Sequence, residues 1–251
     1  MNTYQDCEPL PIQRSDFEML AEYRDLCCIS LYIPYSPSHS ISLEEIRNRI
    51  SEQFRSASNN AHFQGLMIDL VEEFLMSIQK LTDSWKKSQN FESLIIFISQ
   101  DNTRYFLIPR IIPFTTYVND HFYLKLIAQL FNGKHNDFWF QQILQKKSVI
   151  TMFSDQCEVE KSICTDVSQI VLSSSKGLVK TLFLQKGNDV HGEFDSTNNY
   201  VLSDFEKKET TSLSNIAAIH TILNRGNIYE LEKKYMPIQN KPMNAIIKKK
   251  S

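Results

Sequence analysis

Glycine and proline are scarce in this chain, with six and eight of 251 residues. The six glycines are isolated from one another, so neither a Walker loop nor a dinucleotide-binding glycine fingerprint is present. A phosphate site made of successive free backbone amides is therefore not expected. The GxSxG turn of serine hydrolases is also missing, and the low glycine and proline content argues against long flexible linkers.

Cysteine is equally sparse, with five residues at Cys7, Cys27, Cys28, Cys157 and Cys164. An odd number, with one adjacent pair inside an apolar run, does not suit a disulfide framework. We expect Cys27 and Cys28 to be small core residues of a strand. No Cys/His grouping has the spacing of a zinc site, so neither a metal nor another cofactor is predicted.

Long apolar runs are missing as well. Residues 1–6 contain no basic region followed by an apolar stretch, which argues against a signal peptide. Runs such as 94–98 are far too short to span a bilayer. Together with the cysteine usage, these features predict a soluble protein of the reducing cytoplasm, without a membrane partner.

The net charge of -2 argues against a protein that coats nucleic acid by bulk attraction, and DNA is not an expected partner. The charge is unevenly distributed, because residues 1–80 hold 12 acids and 6 Lys/Arg, whereas residues 210–251 hold 2 acids and 7 Lys/Arg. An anionic partner should therefore meet the C-terminal end. The candidate nucleic-acid or ribosome-binding residues are Arg225, Lys233, Lys234, Lys241, Lys248, Lys249 and Lys250. The alternative is a solvated basic tail.

Apolar periodicity predicts helices and strands that alternate along the chain. The predicted strands are 26–33, 91–98, 105–108, 115–118, 178–184, 190–194, 227–231 and 243–248, and the predicted helices are 42–59, 66–85, 122–131, 167–175 and 212–224. A hairpin is expected at 137–153 and a loop at 195–212. The polar stretch 154–166 is the best domain boundary. The predicted fold class is α/β (α+β), with an N-terminal mixed α/β domain at 1–155 and a small α/β sandwich at 166–251.

Histidine lies beside acidic residues at two places, Asp120-His121 and Asp189-Val190-His191. Each histidine is a candidate general base with an orienting carboxylate. The alternative for both is a polar loop beside the end of a strand. Since neither has a nucleophile or a metal partner in view, a hydrolase using His121 or His191 ranks last among the functions considered.

Two groups of segments resemble a known family. The segments are CISLYIP at 28–34 and YVNDHFYLKLI at 117–127, and then GLVKTLF at 177–183, GEFD at 192–195, AAIHTILNRGNIY at 217–229, Met236-Pro237 and AII at 245–247. In pattern and order they are similar to the bacterial branch of the archaeo-eukaryotic release factor superfamily, which also contains Pelota and the Balon-type hibernation factors. The resemblance covers about two thirds of the chain.

The resemblance implies an N-terminal α/β domain, a central RNase H-like domain and a C-terminal L7Ae-like domain. Here the central domain is largely missing, and the chain contains no Gly-Gly pair, so the catalytic Gly-Gly-Gln loop of release factors cannot be carried over. Members without that loop act by occupying the ribosomal A site. The acidic residues 1–80 depart from the basic N-terminal domain that a decoding-centre binder should carry.

The function expected from the resemblance is therefore that of a non-catalytic translation-associated protein, a ribosome rescue or hibernation accessory. Its expected partners are the ribosome and its RNA, or a translation GTPase. The alternative is a protein-interaction module or homodimer that kept the fold but not ribosome binding.

Overall fold

The computed structural model describes residues 12–34, 44–45, 48–49, 51–52, 92–100, 103–132, 163–195, 200–203 and 211–248. The chain divides into two compact units, Met1–Tyr123 and Leu124–Ser251. The predicted helix at 66–85, the predicted hairpin at 137–153 and most of the predicted boundary at 154–166 lie outside the described residues. The predicted domain limits therefore stay a prediction.

The first unit contains a helix and a four-stranded antiparallel sheet. Their bounds are α1 Arg14–Glu22, β1 Cys28–Pro34, β2 Ser93–Ile98, β3 Thr103–Ile108 and β4 Thr115–Asn119, and the strand order is β3-β2-β1-β4. Every residue of β2 is buried, as are the first six of β1. The two central strands are continuous apolar runs because both of their faces are covered.

Helix α1 buries Phe17, Leu20 and Ala21 and begins with a local hydrogen bond, in which the Gln13 backbone N–H donates to Asp16 Oδ2 at 2.8 Å. This bond satisfies a donor that the first turn of a helix leaves without an intrahelical partner. No pattern in the sequence analysis predicted α1, since its apolar face contains only three residues.

The described residues of the second unit form two sheets. The mixed sheet has the order β10-β6-β11-β5 and the small antiparallel sheet has the order β8-β7-β9. The strand bounds are β5 Ile163–Cys164, β6 Val179–Gln185, β7 His191–Asp195, β8 Tyr200–Ser203, β9 Thr211–Ser212, β10 Asn227–Leu231 and β11 Met243–Ile247. In the mixed sheet, β10 runs parallel to β6, whereas β11 runs antiparallel to it.

The helices of this unit are α2 Lys125–Ala128, which continues into the 3-10 turn Gln129–Phe131, then α3 Val167–Ser175, α4 Leu213–Leu223 and the 3-10 turn Lys233–Tyr235. Helices α3 and α4 pack against each other and against the mixed sheet. Asp166 caps α3 by accepting from Gln169 N at 2.7 Å, and Ser212 caps α4 by accepting from Asn215 N at 3.0 Å.

Most predicted elements that fall on described residues are present, and the mixed α and β class is confirmed. The predicted helix at 167–175 has the predicted bounds, and all eight predicted strands are present with small shifts at their ends. In the predicted helix at 42–59, the described residues are helical.

Three predictions need correction. The region 195–212, expected to be a loop, contains β8 and β9, and the region 154–166, expected to be irregular, contains β5. These strands have two to four residues, which is too short for a periodic pattern, so pairing with a neighbouring strand decides their structure. The predicted helix at 122–131 begins only at Lys125.

Within the ranges that the structure describes, no helix is long and apolar enough to cross a membrane.

Candidate nucleic-acid interface

The described basic residues between 163 and 248 in the second unit face solvent, whereas Lys125 at the start of this unit is buried. Between residues 163 and 248, the described part of the chain contains eight Lys and Arg residues, and each of them is exposed: Lys176, Lys180, Lys186, Arg225, Lys233, Lys234, Lys241 and Lys248. Five of these are candidates predicted from the sequence, whereas Lys176, Lys180 and Lys186 were not predicted, since they lie outside the basic C-terminal run. Lys249 and Lys250 lie outside the described residues.

One group of cations lies where β6 begins. We call it the helix-end surface and define it by Lys176, Lys180, Arg225 and Lys248. Helices α3 and α4 both end here, one residue before Lys176 and two residues before Arg225. The chain returns to the same place after β11, because Lys248 N donates to Leu178 O at 2.8 Å.

A second group lies where β6 ends. We call it the lysine–tyrosine surface and define it by Lys186, Lys233, Lys234, Tyr235, Ile238 and Lys241. Main-chain hydrogen bonds bring its segments together: Lys186 N donates to Leu231 O at 2.7 Å, and Gln185 N donates to Pro242 O at 2.9 Å. These bonds join the end of β6 to the segments that follow β10 and precede β11.

The two surfaces are separated by the length of a strand. At a rise of roughly 3.3 Å per residue, the backbones of Lys180 and Lys186 are about 20 Å apart. The Debye length at physiological salt is only about 8 Å, so each surface attracts anions independently of the other. The candidate residues therefore do not form one patch, because Arg225 and Lys248 lie at one end of the sheet and the other three described candidates lie at the opposite end.

Cations of the helix-end surface have a structural role. Lys248 Nζ donates to Gly177 O at 2.8 Å, in the turn that follows α3. Arg225 follows the C-cap of α4 in the left-handed region, with φ of 59°. Helix C-termini carry a partial negative charge that a nearby cation stabilises. The positions of these cations are thus explained without a ligand.

At the lysine–tyrosine surface, Lys234 Nζ lies 4.8 Å from the centroid of the Tyr235 ring and 3.4 Å from Glu232 Oε2. Hydrogen bonding to Tyr235, and then to Glu232, raises the pKa of Lys234. Its ammonium group therefore stays charged at neutral pH. Because the side chain is solvent-exposed, these contacts contribute little to folding stability.

His121 is buried in the first unit, where it is 5% exposed. Its Nδ1 atom lies 2.5 Å from Asp120 Oδ1, and this hydrogen bond is the largest cause that lowers the pKa of Asp120. The Nε2 atom is also buried and has no hydrogen-bond partner. A substrate cannot reach Nε2 without local movement, so the geometry does not favour a general base here.

His191 lies near Asp189, but the predicted orienting contact is long, at 3.9 Å between Nε2 and Asp189 Oδ2. The other carboxylate oxygen, Oδ1, accepts a hydrogen bond from Ser212 Oγ at 2.7 Å and lies 3.6 Å from Lys125 Nζ. The Lys125 side chain is only 3% exposed, and its Nζ also donates to Asn188 O at 3.0 Å. Asp189 is therefore the counter-ion of a buried lysine.

Asn215 extends this arrangement, which we call the Lys125–Asp189 cluster. Its Oδ1 atom accepts from Leu124 N at 2.8 Å and from Lys125 N at 2.9 Å. Because the first amides of a helix have no intrahelical acceptor, Asn215 supplies one for α2. The cluster thus joins α2 to the start of α4, and sequence reasoning missed Lys125 and Asn215 because their partners are distant in the chain.

No group of three or more His, Cys, Asp and Glu residues that could hold a metal ion occurs among the residues described above. Cys27 and Cys28 are free and buried. Desolvation by burial raises the pKa of both thiols to about 12. A metal would have to overcome that cost to bind their thiolates.

No protein-family model matches the chain, and no curated protein matches it in sequence. The resemblance to the release factor superfamily therefore stays a prediction.

Proposed function

We propose that this protein is a non-catalytic binding protein of the translation machinery, a ribosome rescue or hibernation accessory that contacts ribosomal RNA through its second unit. The segments that resemble Pelota-like factors motivate the choice of the ribosome. The charge that the second unit presents to solvent supports an RNA partner.

The observation that carries the proposal is the difference in exposure between cations and acids. Between residues 163 and 248, the described part of the chain contains eight cations, all exposed, and six acids, of which only Asp166, Glu193 and Glu232 are exposed. The solvent-exposed surface of these residues is therefore more basic than their amino-acid composition. Ribosomal RNA is a dense phosphate surface that such cations bind without sequence preference.

The proposal extends to an L7Ae-like fold for this unit and to a cytoplasmic location. Helices α3 and α4 pack beside a mixed sheet, which is compatible with the α/β sandwich that the resemblance implies. Parallel pairing of β6 and β10, with α4 preceding β10 in the chain, is the arrangement of a β-α-β crossover.

Co-sedimentation of the full chain with 70S ribosomes across a salt series tests the proposal. We expect binding at low salt that weakens steeply as salt rises, because each neutralised phosphate releases a counterion. A variant with Lys186, Lys233 and Lys241 all replaced by Glu should not co-sediment. A chain with Asp166, Glu193 and Glu232 replaced by Gln is the matched control and should bind at least as well as the wild type.

Absence of salt-sensitive binding to ribosomes and to structured RNA would contradict the proposal. Light scattering on the same preparation then distinguishes what replaces it. A dimer that does not bind ribosomes would favour a protein-interaction module. In the co-sedimentation experiment, loss of ribosome binding in the acid-to-amide control would show that charge is not the cause of binding.

A further inference from the structure

The lysine–tyrosine surface is held in a fixed shape by a buried amide. Asn244, in β11, is fully buried, and its Oδ1 atom accepts from Ile238 N at 2.7 Å. Its Nδ2 atom donates to Lys241 O at 3.4 Å. The segment between β10 and β11 is therefore anchored at two points, which limits the entropy that it loses when a ligand binds.

Met236 anchors the same segment by packing into the core. It is 4% exposed and packs against Phe183 of β6, beside the half-buried Tyr229 and Leu231. The preceding residue, Tyr235, is 41% exposed, and Ile238 is 39% exposed. Two large apolar side chains thus remain in contact with water on a segment whose neighbours are packed.

Basic residues lie on the same segment as these apolar side chains and at the end of the strand that the segment contacts. Lys233 and Lys241 are exposed on the same segment, and Lys186 follows the strand that the segment contacts. The acidic neighbours are Glu232, which lies 3.4 Å from Lys234 Nζ, and the half-buried Glu230. Unlike the helix-end surface, this surface does not lie at the C-terminus of α3 or α4, so helix dipoles do not explain its lysines.

We propose that the lysine–tyrosine surface binds unpaired RNA nucleotides, with a base stacked on Tyr235 and the flanking phosphates bound by Lys186, Lys233 and Lys241. Proteins bind single strands with aromatic rings, on which bases stack, and with cations, which bind the phosphates. A duplex keeps its bases stacked on one another and offers Tyr235 no base face. This inference rests on the proposed function, since it names the RNA-contacting part of the same unit.

Fluorescence anisotropy with labelled single-stranded oligouridine and oligoadenosine, and with a hairpin whose loop is short, tests the assignment. We expect the single strands to bind more tightly than the hairpin. Tyr235→Ala should weaken single-strand binding by about 5-fold to 150-fold, the range that stacking on one aromatic ring provides. Tyr235→Trp should retain the affinity, because the indole ring also stacks. Circular dichroism checks that each variant is folded.

The lysines are tested by the salt dependence of binding. Replacing Lys233 and Lys241 by Ala should reduce the slope of log affinity against log salt by about 1.4, since each single-strand phosphate contact contributes about 0.7. Lys176→Ala combined with Lys180→Ala, on the helix-end surface, is the matched control and should leave the slope and the affinity of single strands unchanged.

Three results would overturn the inference. The first is equal affinity of wild type and Tyr235→Ala for single strands. The second is loss of single-strand binding in the helix-end control together with unchanged binding in the variant that lacks Lys233 and Lys241. If ribosomes still co-sediment with the wild type in that case, the proposed function stands and only the assignment of RNA binding to the lysine–tyrosine surface is wrong. The third is absence of any binding to RNA or ribosomes at low salt, which would overturn the proposed function as well.

Discussion

Lys125 and Asp189 should contribute unequally to folding stability, although they form one ion pair. The Lys125 side chain is 3% exposed and that of Asp189 is 23% exposed. Removing the carboxylate leaves a buried ammonium group that still donates a hydrogen bond to Asn188 O at 3.0 Å. Removing the ammonium group leaves a carboxylate that water reaches and that still accepts from Ser212 Oγ at 2.7 Å.

These differences set the expected magnitudes. Asp189→Asn keeps an oxygen for Ser212 but leaves the Lys125 charge without its counter-ion, which costs about 3–5 kcal/mol of unfolding free energy for a buried pair. Lys125→Met keeps the volume of the side chain and removes the charge, so we expect a loss of about 1–2 kcal/mol, mainly from the hydrogen bond to Asn188. The double variant should resemble Lys125→Met, because a neutral side chain no longer needs the carboxylate.

Urea denaturation followed by far-UV circular dichroism measures the four free energies of this double-mutant cycle. Hydrogen exchange of peptides covering 124–132 and 211–223 reports whether the loss is local to α2 and the start of α4. Equal costs for Lys125→Met and Asp189→Asn would contradict the expected asymmetry. Additive effects in the double variant would show that the pair is not coupled.

Three further predictions concern other sites. Cys27 and Cys28, whose thiol pKa values burial raises to about 12, should resist alkylation at pH 8 in the native chain and react after denaturation, as read by peptide mass spectrometry. The hydrogen bond with His121 lowers the pKa of Asp120 from 3.8, so the contribution of Asp120 to stability is present above that pH and is lost as pH falls through the lower folded value. His121→Phe removes this hydrogen bond and should therefore flatten the loss of stability measured in acid titrations below about pH 4. Gly226→Ala should cost about 1–3 kcal/mol in urea denaturation, because the added β-carbon would lie 2.8 Å from a backbone carbonyl oxygen of β6; an unchanged denaturation midpoint would show that the backbone yields without cost.

Local signals in the sequence predict the best-defined elements. Helix α4 begins after Ser212 because the Ser212 hydroxyl caps its first turn, and it ends before Arg225, which has a left-handed backbone conformation with φ of 59°. Strands β1 and β2 are predicted because continuous apolar runs must be buried on both faces. In each case the relevant residues are neighbours in the chain.

The candidate site depends far more on tertiary structure. The basic residues near the C-terminus look like one set in the sequence, yet β10 runs parallel to β6 and β11 runs antiparallel to it. Strand direction therefore places Arg225 and Lys248 at one end of the sheet and Lys233 and Lys241 at the other. No local pattern encodes that division.

The same contrast holds for Asp189. Its spacing to His191 suggested an acid–base pair, whereas in the fold its carboxylate faces Lys125 and Ser212, which are distant in the chain. The sequence by itself determined the class of fold, the buried strands and the basic character of the C-terminal end, because composition and periodicity act through neighbouring residues. Only the tertiary structure decided which charges are buried with a partner and which meet solvent together, because that depends on how distant strands and helices pack.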